Sequence, residues 1–165
     1  MSLELRLTKL LGILREINKI MKIKQITIKN FRSIKNETII FPDSGILSLV
    51  GPNNAGKSNI VRAIENIIGD SWFSKDKCEN NDYWMKNPSN SISITINFTD
   101  GAVAEINFND GGWSNYKDES GKKKWDDTIR GYVKPKDMFP CTYLSANRDL
   151  AKNMQFRSYE LMGKI

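Results

Sequence analysis

One short run organises this sequence: Gly51-Pro52-Asn53-Asn54-Ala55-Gly56-Lys57-Ser58. It satisfies every fixed position of the pattern G-x-x-x-x-G-K-[ST], in which glycines let backbone N–H groups approach oxyanions that a Cβ would obstruct. The lysine of this pattern lies against the outer phosphates of a nucleoside triphosphate, and the hydroxyl after it is a ligand of Mg²⁺. The run therefore predicts a phosphate-binding loop that takes a nucleoside triphosphate and Mg²⁺.

The segments on either side of the run suit a loop of this kind. Residues 46–50 are a short apolar stretch typical of a buried parallel strand, and residues 58–68 carry isoleucines at helical spacing. Gly69 is the expected helix stop. A helix that starts near Gly56 would direct its first amides and its positive dipole end at the phosphates.

We expect the nucleotide contacts to come from this loop and the residue after it. Gly51 and Gly56 allow the close backbone approach, Lys57 meets the β- and γ-phosphates, and Ser58 is the metal ligand through its hydroxyl. The complete set of loop candidates is Gly51, Asn53, Asn54, Ala55, Gly56, Lys57, Ser58 and Asn59.

Composition bounds the possible functions. The 165 residues are 39% apolar, which suits one domain with a core, and the net charge of +6 permits contact with nucleic acid without demonstrating it. Histidine is absent, so Ser-His-Asp and Cys-His catalysis and histidine-bound metals are excluded within this chain. Cys78 and Cys141 lack CxxC spacing, which favours reduced thiols and a cytoplasmic location. No apolar run approaches the length of a membrane span, so we expect no membrane contact.

The first 21 residues differ from the rest of the chain. Residues 1–21 place leucines and isoleucines at spacings of three and four between charged residues, which predicts an amphipathic helix. This helix packs on the body or on a partner; alternatively, Met21 is the biological start and the preceding residues are an upstream extension. We assign residues 22–165 to the domain that contains the phosphate loop.

Two groups of strands are predicted around the loop. Residues 23–31 and 38–41 have the composition of strands, and a turn at 42–45 leads to the strand of the phosphate loop. Residues 92–98 and 104–108 alternate apolar and polar side chains around a turn, so we expect an antiparallel meander over 91–117. Between the two groups, residues 71–91 are predicted to be an irregular connection with at most one short helix. Its aromatic side chains line the core or, alternatively, form a stacking surface for nucleic acid: Trp72, Phe73, Tyr83 and Trp84.

Residues 22–68 resemble the N-terminal head of the ABC-type ATPases that act on DNA, namely the structural-maintenance-of-chromosomes (SMC) and recombination-repair group and the overcoming-lysogenization-defect (OLD) family nucleases. The resemblance is carried by residues 26–34, Phe41 and residues 49–60. The form of the loop, with asparagine at its third position, separates this group from GTPases and kinases.

The resemblance implies an α/β fold: the N-terminal lobe of an ABC-type P-loop NTPase head, with an antiparallel β layer. It also implies that Arg32 and Ser33 lie beside the bound nucleotide, although both could simply serve the turn at the strand end. Gln155 could stand where such heads place the glutamine that senses Mg²⁺ and the attacking water, or it could be an ordinary surface residue. A strand predicted over 138–144 that runs into Arg148-Asp149 is similar to OLD-like ATPases and favours that family.

Several parts of a hydrolytic site are missing from the sequence. ATP hydrolysis needs an acid that holds Mg²⁺ and a group that positions water. Asp126-Asp127 follows a run of lysines and Asp100 closes a hairpin strand, so neither is a Walker-B acid. The Ser-Gly segment and the switch histidine of ABC-type heads are also absent. We therefore expect the N-terminal part of a longer protein, with no catalytic residue in this chain and only weak ATP binding.

Three functions remain open. The first is the ATP-binding lobe of an OLD-like ATP-dependent endonuclease that acts on DNA in repair or phage defence, as a homodimer of heads. The second is a head fragment of a DNA-repair or chromosome-structuring ATPase without a nuclease. The third is a catalytically inert P-loop protein that uses its N-terminal helix for interaction.

Overall fold

A computed structural model describes residues 21–69, 73–123, 125–126, 131–138 and 141 of the chain. The main body is a five-stranded sheet with one long helix on a face. The strands and helices, in chain order, are β1 (Ile23–Phe31), β2 (Ile34–Ile40), α1 (Lys57–Ile68), β3 (Ser93–Phe98), β4 (Val103–Asn107), β5 (Ser114–Lys117), β6 (Trp125–Asp126), β7 (Gly131–Tyr132) and α2 (Pro135–Met138).

The sheet is antiparallel throughout, in the order β2-β1-β3-β4-β5, and β6 and β7 form a separate small hairpin. Ile28 lies opposite Ile94, and Ile94 lies opposite Ile106, so one row of isoleucines crosses three strands on the same face. The expected meander is present as β3, β4 and β5. It joins β1 and β2 in one sheet, since β1 pairs with β3.

The core lies between the apolar face of the sheet and helix α1. The isoleucines of β1, β3 and β4 on this face are fully buried, and α1 contributes Ala63, Ile67 and Ile68. The predicted helix is confirmed over residues 57–68, and Gly69 ends it by donating its N–H to the carbonyl oxygen of Glu65 at 2.8 Å. This packing sets the start of α1, and with it the phosphate loop, at one end of the sheet.

The segment after α1 consists of three single turns of 3₁₀ helix, at Lys75–Lys77, Asn80–Asp82 and Trp84–Lys86. The Phe73 ring centroid lies 5.9 Å from that of Phe31 and 5.7 Å from that of Phe108. Tyr83 is also buried, against Phe108. The expected core role is confirmed for Tyr83, which is buried, and for Phe73, which is partly buried and packs against the core. Trp84 is also partly buried but is not part of this cluster, and Trp72 lies outside the described residues.

The prediction of a buried strand before the phosphate loop is wrong for this structure. Residues 46–50 have no regular structure, and Ile46 and Val50 are 76% and 94% exposed. A parallel strand needs neighbours that satisfy its backbone and cover its faces, and the described residues provide none for this segment. The second strand, predicted from Thr38, begins earlier, at Ile34, because the turn at residues 32–33 is tight enough to restart pairing at once.

Some predictions lie outside the described residues. These are the amphipathic helix before Met21, most of the 138–149 segment that favours the OLD family, and Gln155. The boundary between residues 21 and 22 therefore stays a prediction. Among the helices of the described ranges, none has the length and hydrophobicity needed to cross a bilayer.

Candidate nucleotide-binding site

The phosphate loop is an exposed turn whose shape depends on left-handed backbone. Asn54 and Gly56 have φ values of 67° and 86°, and the N–H of Ala55 donates to the carbonyl oxygen of Pro52 at 3.3 Å. Asparagine and glycine are the residues that adopt this conformation at the lowest steric cost. The side chains at Asn53, Asn54 and Ala55 lie in solvent at the tip of the loop.

Lys57 closes the loop upon itself. Its ammonium donates to the carbonyl oxygens of Gly51 at 2.8 Å and Pro52 at 2.6 Å. An ammonium has three donors, so one remains for a ligand in the cradle. The lysine therefore stands across the mouth of the loop, where it can meet phosphate oxygens.

The start of α1 provides further hydrogen-bond donors, the backbone N–H groups of its first residues. Within the described part of the chain, the N–H groups of Gly56, Lys57 and Ser58 have no intramolecular acceptor, and the first turn holds no acidic residue and no side-chain cap. These amides and the positive end of the helix dipole are thus available to an anion. The donor set fits the phosphates of ATP, and the exposed hydroxyl of Ser58 fits a Mg²⁺ ligand.

The turn between β1 and β2 brings Ser33 against the phosphate loop. Asn59 Nδ2 donates to Ser33 Oγ at 2.8 Å, and a Cβ at Gly56 would lie 3.0 Å from the same oxygen. The turn between β1 and β2 therefore touches the first turn of α1, although the two are far apart in sequence. Asn59 holds this junction through its side chain.

Arg32 occupies the same turn with a left-handed backbone, at φ 52°. Its Nε and Nη2 lie 3.0 and 2.9 Å from Oδ1 of Asp82, and its backbone N–H donates to the carbonyl oxygen of Asp82 at 2.7 Å. Sequence reasoning missed Asp82, because no motif connects it with Arg32. The only signal was the polar, irregular composition of the segment that contains it.

A cleft of about 730 Å³ lies between the β1–β2 turn and the 3₁₀ segment. Arg32, Ser33 and Asn59 share it, so three of the predicted site residues border one space. Its other lining residues all belong to the 3₁₀ segment: Lys77, Glu79, Asn81, Asp82, Tyr83, Met85 and Lys86. Met85 and Lys86 both have left-handed backbone, with φ values of 57° and 56°.

Two groups at the cleft, the Cys78 thiol and the Tyr83 hydroxyl, have raised pKa values. Burial, together with the nearby charge of Asp82, raises the pKa of Cys78 to about 11. Burial also raises the pKa of Tyr83, with a smaller effect of Cys78. Both groups are therefore uncharged at neutral pH, and the acidic and basic side chains that line the cleft are those of Arg32, Lys77, Glu79, Asp82 and Lys86.

The antiparallel layer, the helix N-terminus and the glycine-lysine loop together define a nucleotide-binding P-loop domain of the ATPase class. The family model described as AAA ATPase domain matches residues 21–160, and the chain belongs to this family. This match, together with the SMC and OLD relatives given next, confirms the resemblance to ABC-type ATPase heads and the α/β P-loop fold class. The family implies a nucleotide and, typically, Mg²⁺.

Curated relatives match part of the chain. The chain is 48% identical over 50 residues to the chromosome partition protein Smc of Halobacteriovorax marinus, a match that covers 30% of this chain and 4% of that protein. It is 36% identical over 77 residues to the OLD nuclease of Thermus scotoductus, covering 46% of this chain and 14% of that protein. The chain thus spans a small fraction of the length of both relatives.

A solved structure from a study of ATP-driven dimerization and DNA-stimulated activation of SMC ATPases also resembles the chain. The TM-score is 0.40 at 21% identity, over 58% of this chain and 68% of that one.

Proposed function

We propose that this chain is the ATP-binding lobe of an OLD-like ATP-dependent nuclease that acts on DNA. The observation that carries the proposal is the loop at residues 51–58, which combines amides without an acceptor among the described residues, left-handed backbone and the Lys57 ammonium within eight residues. In this role Gly51, Gly56 and Lys57 hold the phosphates and Ser58 holds Mg²⁺. Arg32, Ser33 and Asn59 border the bound nucleotide.

The rest of the machinery has to come from elsewhere in the protein or from a partner. The sequence offers no Walker-B acid, and stabilisation of the transferring phosphoryl group needs metal and water held in place. We propose that two heads close around ATP, so that each completes the other's site, and that DNA is the substrate of the whole assembly. Cytoplasmic location follows from this role.

A chromosome-structuring ATPase is the second candidate. It is favoured by the higher identity of the Smc match, 48% against 36%, whereas the match to the OLD nuclease is longer, 77 residues against 50. Incubation of the complete protein with plasmid DNA, ATP and Mg²⁺ separates the two. Cleavage supports the nuclease, and DNA-stimulated ATP hydrolysis without cleavage supports the chromosome-structuring ATPase.

The nucleotide site itself is tested by calorimetric titration of the chain with ATP·Mg²⁺. We expect binding by the wild type and its loss in Lys57→Ala, because the ammonium that meets the phosphates is removed. Lys122→Ala is the matched control, since it removes the same charge from an exposed turn beyond β5. Equal affinity in all three proteins would contradict the proposal.

A further inference from the structure

The contact between Arg32 and Asp82 joins the end of β1 to the 3₁₀ turn Asn80–Asp82 at three points. One is the backbone bond from Arg32 to Asp82, and the other two run from Nε and Nη2 of the guanidinium to a single carboxylate oxygen. An isolated antiparallel β-bridge pairs the backbones of the neighbouring residues Phe31 and Tyr83. The arginine is thus held by its backbone and by its side chain.

The guanidinium keeps donors for another partner. It has five N–H groups in a fixed planar fork, and the bonds to Oδ1 of Asp82 engage two of them, which leaves three. The Arg32 side chain is 38% exposed and borders the cleft together with Ser33 and Asn59. Ser33, the residue after Arg32, contacts Asn59 in the first turn of α1 and lies close to Gly56, so the cleft that Arg32 borders adjoins the phosphate loop.

Asp82 is itself held in place. Its Oδ2 accepts the backbone N–H of Glu79 at 3.2 Å, and the Cys78 thiol lies 3.9 Å from the same oxygen. The carboxylate is mostly buried, at 14% exposure. Both carboxylate oxygens of Asp82 therefore have partners, and Arg32 is paired with a fixed, mostly buried acid.

We propose that Asp82 is a positioning residue of the nucleotide site, which fixes Arg32 so that its free N–H groups donate to the phosphates of a bound nucleoside triphosphate. Asp82 does not touch the nucleotide and acts through the arginine. A long side chain that is already ordered loses less conformational freedom when a ligand binds. This inference rests on the proposed function, since it requires a triphosphate in the loop.

A double-mutant cycle on the dissociation constant for ATP·Mg²⁺, measured by calorimetry, tests the inference. We expect Arg32→Ala to weaken binding about 10-fold, because charge-assisted bonds to phosphate are lost. Asp82→Ala should weaken binding about 3- to 10-fold in the wild-type chain and have no further effect when Arg32 is already alanine. Glu105→Ala, which breaks the Glu105–Lys117 pair between β4 and β5, is the control and should leave affinity unchanged.

A merely structural role for Asp82 gives a different result, because the loss in affinity would then be the same with or without Arg32. That outcome, or tighter binding by Asp82→Ala, overturns the inference. If the alanine variant does not fold, Asp82→Asn replaces it in the cycle: asparagine keeps an acceptor oxygen, so a smaller loss that again depends on Arg32 is expected. Absence of ATP binding by the wild type overturns the inference together with the proposed function, whereas binding that Lys57→Ala abolishes but Asp82 and Arg32 do not influence overturns the inference alone.

Discussion

Replacement of Gly56 by alanine tests two requirements of the phosphate loop, namely a left-handed backbone and the absence of a Cβ next to Ser33. Gly56 has a left-handed φ of +86°, and a Cβ there would lie 3.0 Å from Ser33 Oγ. Gly121 offers a matched control: its φ is +77°, and a Cβ would meet nothing within 4 Å. Both substitutions impose the same backbone strain, but only Gly56→Ala adds a side chain at the β1–β2 turn and in the phosphate cradle.

The stability cost can be estimated from the backbone. A left-handed L-residue costs about 1–2 kcal/mol, so each variant should lose at least about 1 kcal/mol of unfolding free energy. For a domain of this size the melting temperature then falls by about 2–4 °C, which thermal unfolding monitored by circular dichroism resolves. The melting temperature of Gly56→Ala should be lower than that of Gly121→Ala, because the Ser33 hydroxyl has to move and the hydrogen bond that it accepts from Asn59 is disturbed.

Nucleotide affinity distinguishes the variants more sharply than stability. We expect Gly56→Ala to weaken ATP·Mg²⁺ binding about 10-fold or more, because a methyl group intrudes where amides meet phosphate. Gly121→Ala should stay within about 2-fold of the wild type, since its backbone strain is remote from any ligand. Calorimetric affinities that are the same for both variants would refute the assignment of Gly56 to the phosphate cradle.

Further predictions concern the core, the Cys78 thiol and the incomplete site. Phe31→Ala should lower the unfolding free energy in urea by about 3–5 kcal/mol, because a fully buried ring is lost, and a loss below about 1 kcal/mol would contradict its place in the core. In a Cys141→Ser background, the raised pKa of Cys78 predicts iodoacetamide alkylation at pH 8 on the order of 100-fold slower than in urea, and equal rates would show that the thiol is not shielded. Since its pKa rises from 9.0 to about 11, the stabilising effect of the neutral thiol is complete below pH 9 and is lost as the pH rises toward 11. The isolated chain should show no steady-state ATP turnover, and a rate that Lys57→Ala abolishes would contradict this.

The local elements could be predicted from the sequence because their signals are local. The isoleucine spacing before Gly69 indicated the helix, and the alternation around residues 99–102 indicated the β3–β4 hairpin. The loop at 51–58 was identified by its own residues, since its chemistry depends on glycines and a lysine at fixed spacing. These features need no information from distant parts of the chain.

The parts that could not be predicted depend on distant partners. Residues 46–50 have the composition of a buried strand, yet they have no strand to pair with among the described residues, and apolar composition alone cannot supply one. The Arg32–Asp82 pair joins positions separated by 50 residues, and both belong to segments whose conformation is irregular. Tertiary contacts of this kind leave no periodic pattern in a single sequence.

The central claim, that the amides at the start of α1 hold a triphosphate, is tested most directly by the amide resonances of the ¹⁵N-labelled chain during titration with ATP·Mg²⁺. We predict that the largest chemical-shift changes occur at Gly56, Lys57 and Ser58, with smaller changes at Arg32, and that Lys57→Ala suppresses them. Shifts that cluster instead on the polar face of the sheet, or that persist unchanged in Lys57→Ala, would contradict the account.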